Sequence, residues 1–235
     1  MKYLDFDALE AIDPDAYQAV RPYPWLNPEE LLTHEGFRLL LETFPDISLF
    51  EKVYGVKRAH GQMPHDRYNL EYRPGLALSE PWRDFIGELT DGRYQRLMRR
   101  LLNVPDLKLR LHWHYQPAGC SVSPHCDNLD KLGSHLFYFN PEDEWDESWG
   151  GNTLILDDGG RYARSEAPGF DAFEGTWEAS CTGNRSLLFT QGPKSWHGLR
   201  EIRCPEGYAR RVFIVVVCRV KRLERWKRLL LRKAA

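Results

Sequence analysis

The sequence of 235 residues lacks a long hydrophobic run and a recognisable signal for secretion. Its longest wholly apolar run, Val212 to Cys218, has seven residues, whereas a membrane-spanning helix needs roughly 20. The chain begins with acidic residues where a signal peptide would have a basic start and an apolar stretch. We therefore expect neither a transmembrane segment nor a secretory signal.

The chain also lacks a charge excess of one sign and a paired-cysteine motif. The 32 lysines and arginines nearly balance the 34 aspartates and glutamates, so the formal net charge is −2. Such a balance gives no bulk attraction to nucleic acid, and no nucleic-acid partner is expected. The five cysteines contain no C-x-x-C pair, which argues against a disulfide framework or a zinc ribbon and favours a reducing cytoplasm.

The composition that is present suits a folded domain, with 42% apolar and 13% aromatic residues. Helical periodicity dominates up to about residue 103, and short strand-like runs dominate from about 107 to 220. We expect one α+β domain, in which residues 1–106 are mainly helical support, residues 107–220 form the β core and residues 221–235 form a basic tail. Many short strands separated by turns indicate a barrel or jelly roll.

Individual elements follow from caps and periodicity. A first helix is predicted to be capped by Asn27, with Pro28 at its first position, and to end before Pro45. Two further helices are predicted to open at Ser79 and Asp91. The predicted strands cover residues 107–115, 134–139, 153–156, 186–190 and 211–220.

The carboxyl-terminal tail concentrates the basic charge. Residues 219–235 carry eight basic residues and one acid, a charge of +7, which leaves −9 on residues 1–218. On a helix, Arg225 and Arg228 would share one face opposite Leu223 and Trp226. Such a helix suits an anionic membrane surface or an acidic partner; the alternative is that it packs on its own domain. Peripheral contact with the inner membrane face is therefore an expectation.

One short segment has the spacing of a metal site. His125 and Asp127 lie two residues apart, so both side chains can point the same way on an extended segment. His197 follows 70 residues after Asp127, just before the final predicted strand. Two imidazoles and one carboxylate are the facial ligand set of non-haem Fe(II) oxygenases. His-x-Asp alone also arises by chance, and the alternative is a polar turn.

An arginine at the start of the last strand suggests an anion site. Arg211 precedes a wholly apolar run, and a cation there needs an anionic partner to offset its desolvation. A carboxylate bound by two parallel hydrogen bonds would satisfy it. The alternatives are that Arg211 turns to solvent or pairs with Glu206, and that the adjacent Arg210 takes the functional role.

Taken together, these residues resemble the 2-oxoglutarate/Fe(II)-dependent oxygenases, and within them the prolyl 4-hydroxylase-like group. The resemblance spans about residues 110–220. Its members, in chain order, are Tyr115, His125-x-Asp127, Tyr138-Phe139-Asn140, Trp145, Gly150-Gly151, Leu154, the run Ser186-Leu187-Leu188-Phe189, His197 and Arg211. The ordered set is far more specific than any one of these residues.

The resemblance implies a double-stranded β-helix (jelly roll) and an Fe(II)-dependent dioxygenase that hydroxylates its acceptor. It implies that His125, Asp127 and His197 hold Fe(II), with no catalytic residue needed beyond these ligands. The cosubstrates implied are 2-oxoglutarate and O₂, and the family allows ascorbate as an accessory reductant. The acceptor is expected to be a prolyl residue or a glycan or lipid-linked sugar.

For the cosubstrate, the resemblance implies that Arg211 binds the C5 carboxylate of 2-oxoglutarate and that Tyr138 and Tyr115 add hydroxyl donors. Strand alternation puts His112 and His114 on the face opposite Tyr115. If Tyr115 points inward, both histidines point away from the iron. The acidic residues 142–147 are expected either to cover the site or to be simply solvated. Residues 60–68 are expected to form a surface loop; the alternative is that they reach the mouth of the site.

Two other functions remain open from the sequence. The first is a non-catalytic binding or sensing module that keeps the jelly roll. The second is a cupin-like metalloenzyme that uses His112 and His114 and does not use 2-oxoglutarate. Dependence on 2-oxoglutarate distinguishes the three hypotheses.

Overall fold

A computed structural model of the chain describes residues 2–220. The predicted basic tail over residues 221–235, and the membrane contact expected of it, lie outside the described residues. None of the described helices is both long enough and apolar enough to cross a membrane.

Five α-helices occur within residues 2–220, all of them in the first half of the chain. Their bounds are α1 Phe6–Ala11, α2 Pro14–Ala19, α3 His34–Glu42, α4 Glu80–Thr90 and α5 Gly92–Leu101. Single 3₁₀ turns occur at Ile47–Leu49, Ala59–Gly61, Glu147–Trp149 and Phe170–Ala172. The sequence predicts the starts of α4 and α5 correctly, since Ser79 and Asp91 are their N-cap residues.

The start predicted for the helix before Pro45 is wrong. Helix α3 begins at His34, and Thr33 caps it by accepting a hydrogen bond from the backbone N–H of Gly36 at 2.9 Å. Asn27 instead uses its side-chain amide to donate to the carbonyl oxygen of Ser186 at 2.8 Å. Asn27 has the side chain of a good capping residue and precedes a proline, but here it binds an extended segment to a neighbouring strand. The tertiary contact outweighs local capping.

Eleven strands, all paired antiparallel, form two sheets in the described chain. The strands are β1 Trp25–Leu26, β2 Glu51–Val53, β3 Arg67–Glu71, β4 Lys108–Gln116, β5 Val122–His125, β6 Lys131–Tyr138, β7 Thr153–Asp157, β8 Gly175–Ala179, β9 Ser186–Thr190, β10 Trp196–Leu199 and β11 Arg210–Cys218. The larger sheet has the order β1-β9-β6-β11-β4-β3-β2, and the smaller sheet has the order β5-β10-β7-β8. Three of these strands, β1 to β3, come from the part of the sequence that periodicity assigns to helices.

The helices cover the outer face of the larger sheet. Trp82 of α4 is fully buried there, and its ring centroid lies 5.2 Å from those of Trp113 on β4 and Phe213 on β11. Phe85 of the same helix lies 5.5 Å from Phe137 on β6. Because side chains alternate along a strand, the neighbours of these aromatic residues point to the opposite face, toward the smaller sheet.

A cavity of about 660 Å³ lies on that opposite face. Side chains from both sheets line it, including His114 and Ile214 from the larger sheet and His197 from the smaller one. The packing of the helices therefore decides which residues of β4 and β11 are available to a ligand.

Candidate metal centre and active site

Strand pairing in the smaller sheet brings two histidines together. His125 ends β5 and His197 lies in β10, and the two residues are direct antiparallel partners. Gly198 allows this approach, since a Cβ at that position would lie 2.9 Å from the carbonyl oxygen of Val122. Asp127 follows β5 and completes a cluster whose ligand atoms all lie within 4.8 Å of one another. The three residues predicted from the sequence thus lie together.

Hydrogen bonds orient both imidazole rings toward the centre of the cluster. Nδ1 of His125 lies 3.0 Å from the carbonyl oxygen of Ser123, and Nδ1 of His197 lies 2.9 Å from that of Ser195. Each bond makes Nδ1 the donor and leaves the lone pair of Nε2 free. The two Nε2 atoms lie 3.7 and 3.9 Å from the carboxylate oxygens of Asp127, so three ligand atoms converge on one point.

Two polar side chains position the carboxylate of Asp127. Lys131 Nζ donates to Oδ1 at 2.7 Å, and Gln191 Nε2 donates to Oδ2 at 2.9 Å. Ser195 in turn fixes Gln191 by donating to its Oε1 at 2.7 Å. Burial by itself would raise the pKa of Asp127, but the neighbouring His125 and the charge of Lys131 hold it well below its usual range. Asp127 is therefore ionised and fixed in orientation.

Burial keeps His197 neutral, which is the form of histidine that binds a metal. Burial, followed by the proximity of His125, lowers the pKa of His197 to about 4. A further histidine, His65, packs on His125 with ring centroids 4.5 Å apart, and its Nε2 lies 3.2 Å from Ser123 Oγ. Two imidazoles with free Nε2 atoms and one ionised carboxylate fit a divalent transition metal such as Fe(II).

A buried arginine faces the same cavity. Arg210, the first residue of β11, lines the cavity and is 3% exposed. Its Nε donates to the carbonyl oxygen of Gly151 at 2.7 Å. Its terminal nitrogens donate to Gln116 Oε1 at 2.6 Å and to Thr153 Oγ1 at 3.0 Å. The ring of Tyr138 lies 5.1 Å from the guanidinium carbon.

All of these acceptors are neutral, and no carboxylate of the described chain forms an ion pair with Arg210. Three of its five N–H donors are used in the three hydrogen bonds, so its terminal nitrogens keep further donors. A fixed, buried guanidinium without a counter-charge is unfavourable unless an anion is bound. Arg210 therefore fits the carboxylate of an organic acid.

The glycine pair noted in the sequence has a structural role beside this arginine. Gly151 has φ of +99°, and a Cβ there would lie 2.9 Å from Cys181 Sγ and 3.5 Å from Arg210 Cδ. A larger residue would be strained by the positive φ and too close to Cys181 Sγ. Gly151 thus lets the backbone approach Arg210 and accept its Nε–H.

The structure does not bring Arg211 and Tyr115 into the cavity. Arg211 points to the helix-covered side of the sheet, where its Nη2 lies 3.3 Å from Glu144 Oε2. Tyr115, its direct partner on β4, packs against Phe44 with ring centroids 5.7 Å apart. The physical reason is alternation: Phe213 must face the helices, and Arg211, two residues away, shares its face. Of the predicted cosubstrate residues, Tyr138 reaches the cavity wall through its hydroxyl, 2.9 Å from the lining residue Thr153. Arg210, the alternative to Arg211, lines the cavity itself.

The same alternation corrects the expectation for His112 and His114. Both histidines line the cavity, because Tyr115 points outward instead of inward. Their ring centroids are 6.4 Å apart, and burial lowers the pKa of His112 to about 4. Neither residue belongs to the cluster of metal-ligating side chains formed by His125, Asp127 and His197.

Two loops for which the sequence left alternatives open differ in their relation to the cavity. No residue of the acidic segment 142–147 lines it; Glu144 instead pairs with Arg211 on the other side of the sheet. Residues 60–68, expected to form a surface loop or to reach the site mouth, contribute His60, His65 and Arg67 to the cavity wall, and the preceding Arg58 also lines it. Access to the metal cluster is therefore shaped by the segment leading into β3.

The sequence matches no family model and no curated protein, but solved structures share the fold. A prolyl-4-hydroxylase from Pseudomonas putida has a TM-score of 0.61 at 14% identity, covering 84% of this chain and 93% of that one. A Trichoplax adhaerens prolyl hydroxylase in complex with a hypoxia inducible factor peptide has a TM-score of 0.55 at 14% identity, covering 83% of each chain. SnoK, a non-heme alpha-ketoglutarate-dependent carbocyclase from nogalamycin biosynthesis, has a TM-score of 0.59 at 11% identity, covering 89% of this chain and 85% of that one.

At such low identity the likeness is one of fold. The protein has the α+β double-stranded β-helix (jelly-roll) fold seen in 2-oxoglutarate-dependent non-heme iron oxygenases, including prolyl 4-hydroxylases. The fold class expected from the sequence is confirmed, and so, at the level of fold, is the resemblance to this group of enzymes.

Proposed function

We propose that the protein is an Fe(II)- and 2-oxoglutarate-dependent dioxygenase that hydroxylates an organic acceptor. The observation that carries the proposal is the placement of His125, Asp127 and His197 in one cavity with the buried, carboxylate-free Arg210. A metal-binding face alone would suit many metalloproteins. A metal-binding face beside a prepared carboxylate site suits an enzyme whose cosubstrate is a dicarboxylic keto acid.

The chain's own residues hold the reactants. The free Nε2 atoms of His125 and His197 and the oxygens of Asp127 would bind Fe(II), while Lys131 and Gln191 keep the carboxylate oriented. When bound, Fe(II) with 2-oxoglutarate and O₂ supplies the oxidising power that breaks a C–H bond of the acceptor. Ascorbate would serve only to keep the iron reduced.

Arg210 takes the role predicted for Arg211 in the cosubstrate pocket. Its guanidinium would bind the distal carboxylate of 2-oxoglutarate by charge-assisted hydrogen bonds. Gln116, Thr153 and the carbonyl of Gly151 hold the guanidinium in place. Tyr138 supports this arrangement indirectly, because its hydroxyl lies 2.9 Å from Thr153 Oγ1.

The identity of the acceptor is supported less directly than the class of reaction. A prolyl residue is favoured by the sequence resemblance and by the peptide bound to the Trichoplax adhaerens enzyme. SnoK, with the same fold, is a carbocyclase, so the fold supports acceptors of other kinds. The glycan or lipid-linked sugar expected from the basic tail rests on residues outside those described.

The proposal is tested with the purified full-length chain, stripped of metal and reloaded with Fe(II). We expect slow conversion of 2-oxoglutarate to succinate under O₂ without an acceptor, and none in Asp127→Ala or with Zn(II). Arg210→Met should weaken 2-oxoglutarate binding by about a hundredfold, the loss of two charge-assisted hydrogen bonds. Arg211→Met is the matched control and should bind 2-oxoglutarate as the wild type does.

The outcomes separate the three hypotheses. Tight metal binding without 2-oxoglutarate binding or turnover would contradict the oxygenase proposal and favour a metalloenzyme of another type. Turnover that is equal in wild type and Asp127→Ala would contradict the assigned metal site. Loss of binding in Arg211→Met with retention in Arg210→Met would restore the assignment made from the sequence.

A further inference from the structure

The cavity is strongly basic although the chain as a whole is not. Seven lysines and arginines line it against two acids, whereas the net charge of the whole chain is −2. The basic residues are Lys57, Arg58, Arg67, Arg110, Lys131, Arg164 and Arg210. Both acids are already engaged: Asp127 binds Lys131, and Glu71 lies 3.7 Å from Arg110 and 3.8 Å from Arg73.

Three arginines of this wall have no carboxylate partner in the part of the chain that the structure describes. Arg58 donates to Gln62 Oε1 at 3.2 Å, and Arg67 donates to the carbonyl of His65 at 2.8 Å. Arg164 donates to the backbone carbonyl of Asp127 at 2.7 Å. Each of these acceptors is neutral, so none of the three guanidinium groups is paired directly with a carboxylate.

Burial makes this lack of compensation unfavourable. The Nε atoms of Arg67 and Arg164 are buried with no hydrogen-bond partner among residues 2–220. Burial lowers the pKa of Arg67, and the positive charge of Arg58 lowers it further. Two guanidinium groups that repel each other in a cavity wall, with unused donors, are arranged as they would be around a bound anion.

The three arginines are also close to the metal cluster. Arg67 donates a hydrogen bond to the carbonyl of His65, whose ring packs against that of His125 with centroids 4.5 Å apart. Arg164 holds the carbonyl of Asp127 itself. They come from the segment before β3, from β3 and from the loop between β7 and β8, so separate parts of the chain bring them to one cavity.

We infer that the acceptor is itself an anion, a small molecule with a phosphate or carboxylate group that Arg58, Arg67 and Arg164 bind beside the metal. This inference rests on the proposed function. The cosubstrate does not account for these arginines, because its distal carboxylate is assigned to Arg210. A cavity of about 660 Å³ has the size of a site for a small organic molecule.

A neutral acceptor would leave the wall uncompensated. A prolyl residue in an uncharged peptide, or a neutral sugar, would displace water from Arg58 and Arg67 without supplying a counter-charge, which is unfavourable. An acidic acceptor gains from each guanidinium, and the fixed positions of the three groups would orient its oxidisable carbon toward the metal.

Magnetic relaxation measures binding near the metal without requiring turnover. The full-length chain is loaded with paramagnetic Mn(II) and saturating 2-oxoglutarate, and phenyl phosphate is titrated while its ³¹P and ring ¹H relaxation are recorded. Benzyl alcohol and acetylproline amide serve as neutral probes, and Zn(II) as the diamagnetic control. We expect saturable relaxation of phenyl phosphate only, with binding weakened about tenfold in each of Arg58→Gln, Arg67→Gln and Arg164→Gln.

The control variant is Arg38→Gln. Arg38 pairs with Glu42 on the exposed face of α3, outside the cavity, so this variant removes the same charge at a remote site and should bind like the wild type. Relaxation of 2-oxoglutarate in each sample reports whether the site is intact.

Each outcome decides the inference. If 2-oxoglutarate is relaxed but phenyl phosphate is not, or if the neutral probes bind equally well, the anionic acceptor is wrong while the proposed function stands. If the three arginine variants bind phenyl phosphate as the wild type does, the metal alone holds the anion and the inference fails. If the arginine variants lose 2-oxoglutarate while Arg210→Met keeps it, the arginines serve the cosubstrate, and both assignments are overturned. If neither ligand is relaxed, the proposed function is wrong, and the inference that rests on it is wrong as well.

Discussion

The two faces of the larger sheet are made by the same strands and have opposite characters. The helix-covered face is aromatic and aliphatic, and it belongs to one continuous core that includes Trp82. The cavity face carries imidazole, amide, hydroxyl and guanidinium groups. On β4 and β11 the outward set is Leu111, Trp113, Phe213, Val215 and Val217, and the inward set includes His112, His114, Gln116, Arg210 and Ile214.

The difference separates stability from function within single strands. Burial of large apolar side chains on the helical face stabilises the sheet. Buried polar groups on the cavity face reduce stability unless a ligand pairs with them. The stability contributed by the helical face therefore offsets the cost of a polar, incompletely paired cavity on the other face. Substitutions on the helical face should change the free energy of unfolding, and substitutions on the cavity face should change ligand binding.

The largest effect is expected from Trp82→Ala on the helical face. Trp82 is fully buried, and its ring contacts those of Trp113 and Phe213 at steep angles. Its Nε1 donates to the carbonyl of Leu40 at 3.1 Å. Its removal should lower the free energy of unfolding by about 3–5 kcal/mol, measured by urea denaturation. The Mn(II) affinity of the folded fraction should not change. Loss of metal affinity without loss of stability would contradict the separation of the two faces.

A smaller effect on the free energy of unfolding is expected when Arg210→Met removes the stabilisation by a ligand bound at the cavity face. At a hundred times its dissociation constant, 2-oxoglutarate should stabilise the Mn(II)-loaded wild type by about 2.7 kcal/mol. Arg210→Met should lose most of this increment, while its ligand-free form should unfold at about the same denaturant concentration as the wild type. Methionine fills the space of the arginine stem without a buried charge. Equal ligand stabilisation in wild type and variant would show that Arg210 is not the carboxylate site.

One polar group breaks the pattern of the helical face and offers a pH test. His135 of β6 is fully buried there, its Nδ1 lies 3.0 Å from the hydroxyl of Tyr94, and burial lowers its pKa to about 3. The unfolded chain binds this proton below about pH 6.5, but the native chain does not until about pH 3. Stability should therefore fall as the pH is lowered through this window.

His135 alone should lower the free energy of unfolding by about 2 kcal/mol between pH 7 and pH 5. We expect His135→Gln to abolish this contribution to the pH dependence. The wild type should therefore lose about 2 kcal/mol more unfolding free energy than the variant between pH 7 and pH 5. Denaturant curves at both pH values provide the measurement. Parallel pH dependence in the two proteins would show that His135 binds its proton equally well in the native and unfolded states.

The sequence predicts the fold well where the signals are local or periodic. Capping by Ser79 and Asp91 locates α4 and α5, and the run 186–190 is β9 as predicted. It fails where tertiary contacts decide, as at Asn27, which binds Ser186 instead of capping a helix. The short strands β1 to β3 carry too few residues to show a period, and only their pairing defines them.

In the candidate site, the sequence predicts the residues that carry a motif and fails for those that depend on strand parity. The metal ligands lie together as the motif implies. Arg210 and Arg211 cannot be distinguished because β11 is buried on both faces, so its apolar run shows no alternation. Gln191 and Arg67 have no sequence signal at all, since the fold brings Gln191 to Asp127 and Arg67 to the cavity wall from distant parts of the chain.

The smallest effect is expected from the two cavity histidines outside the metal cluster. His112→Gln and His114→Gln, made singly, should leave Mn(II) affinity within about twofold of the wild type, because neither ring joins His125, Asp127 and His197. Equilibrium dialysis of Mn(II) provides the measurement, and Asp127→Ala is the reference for full loss. A tenfold weakening in either histidine variant would place a metal ligand on the larger sheet. The cupin-like alternative would then regain support, and the cavity face would contain two metal-binding surfaces instead of one.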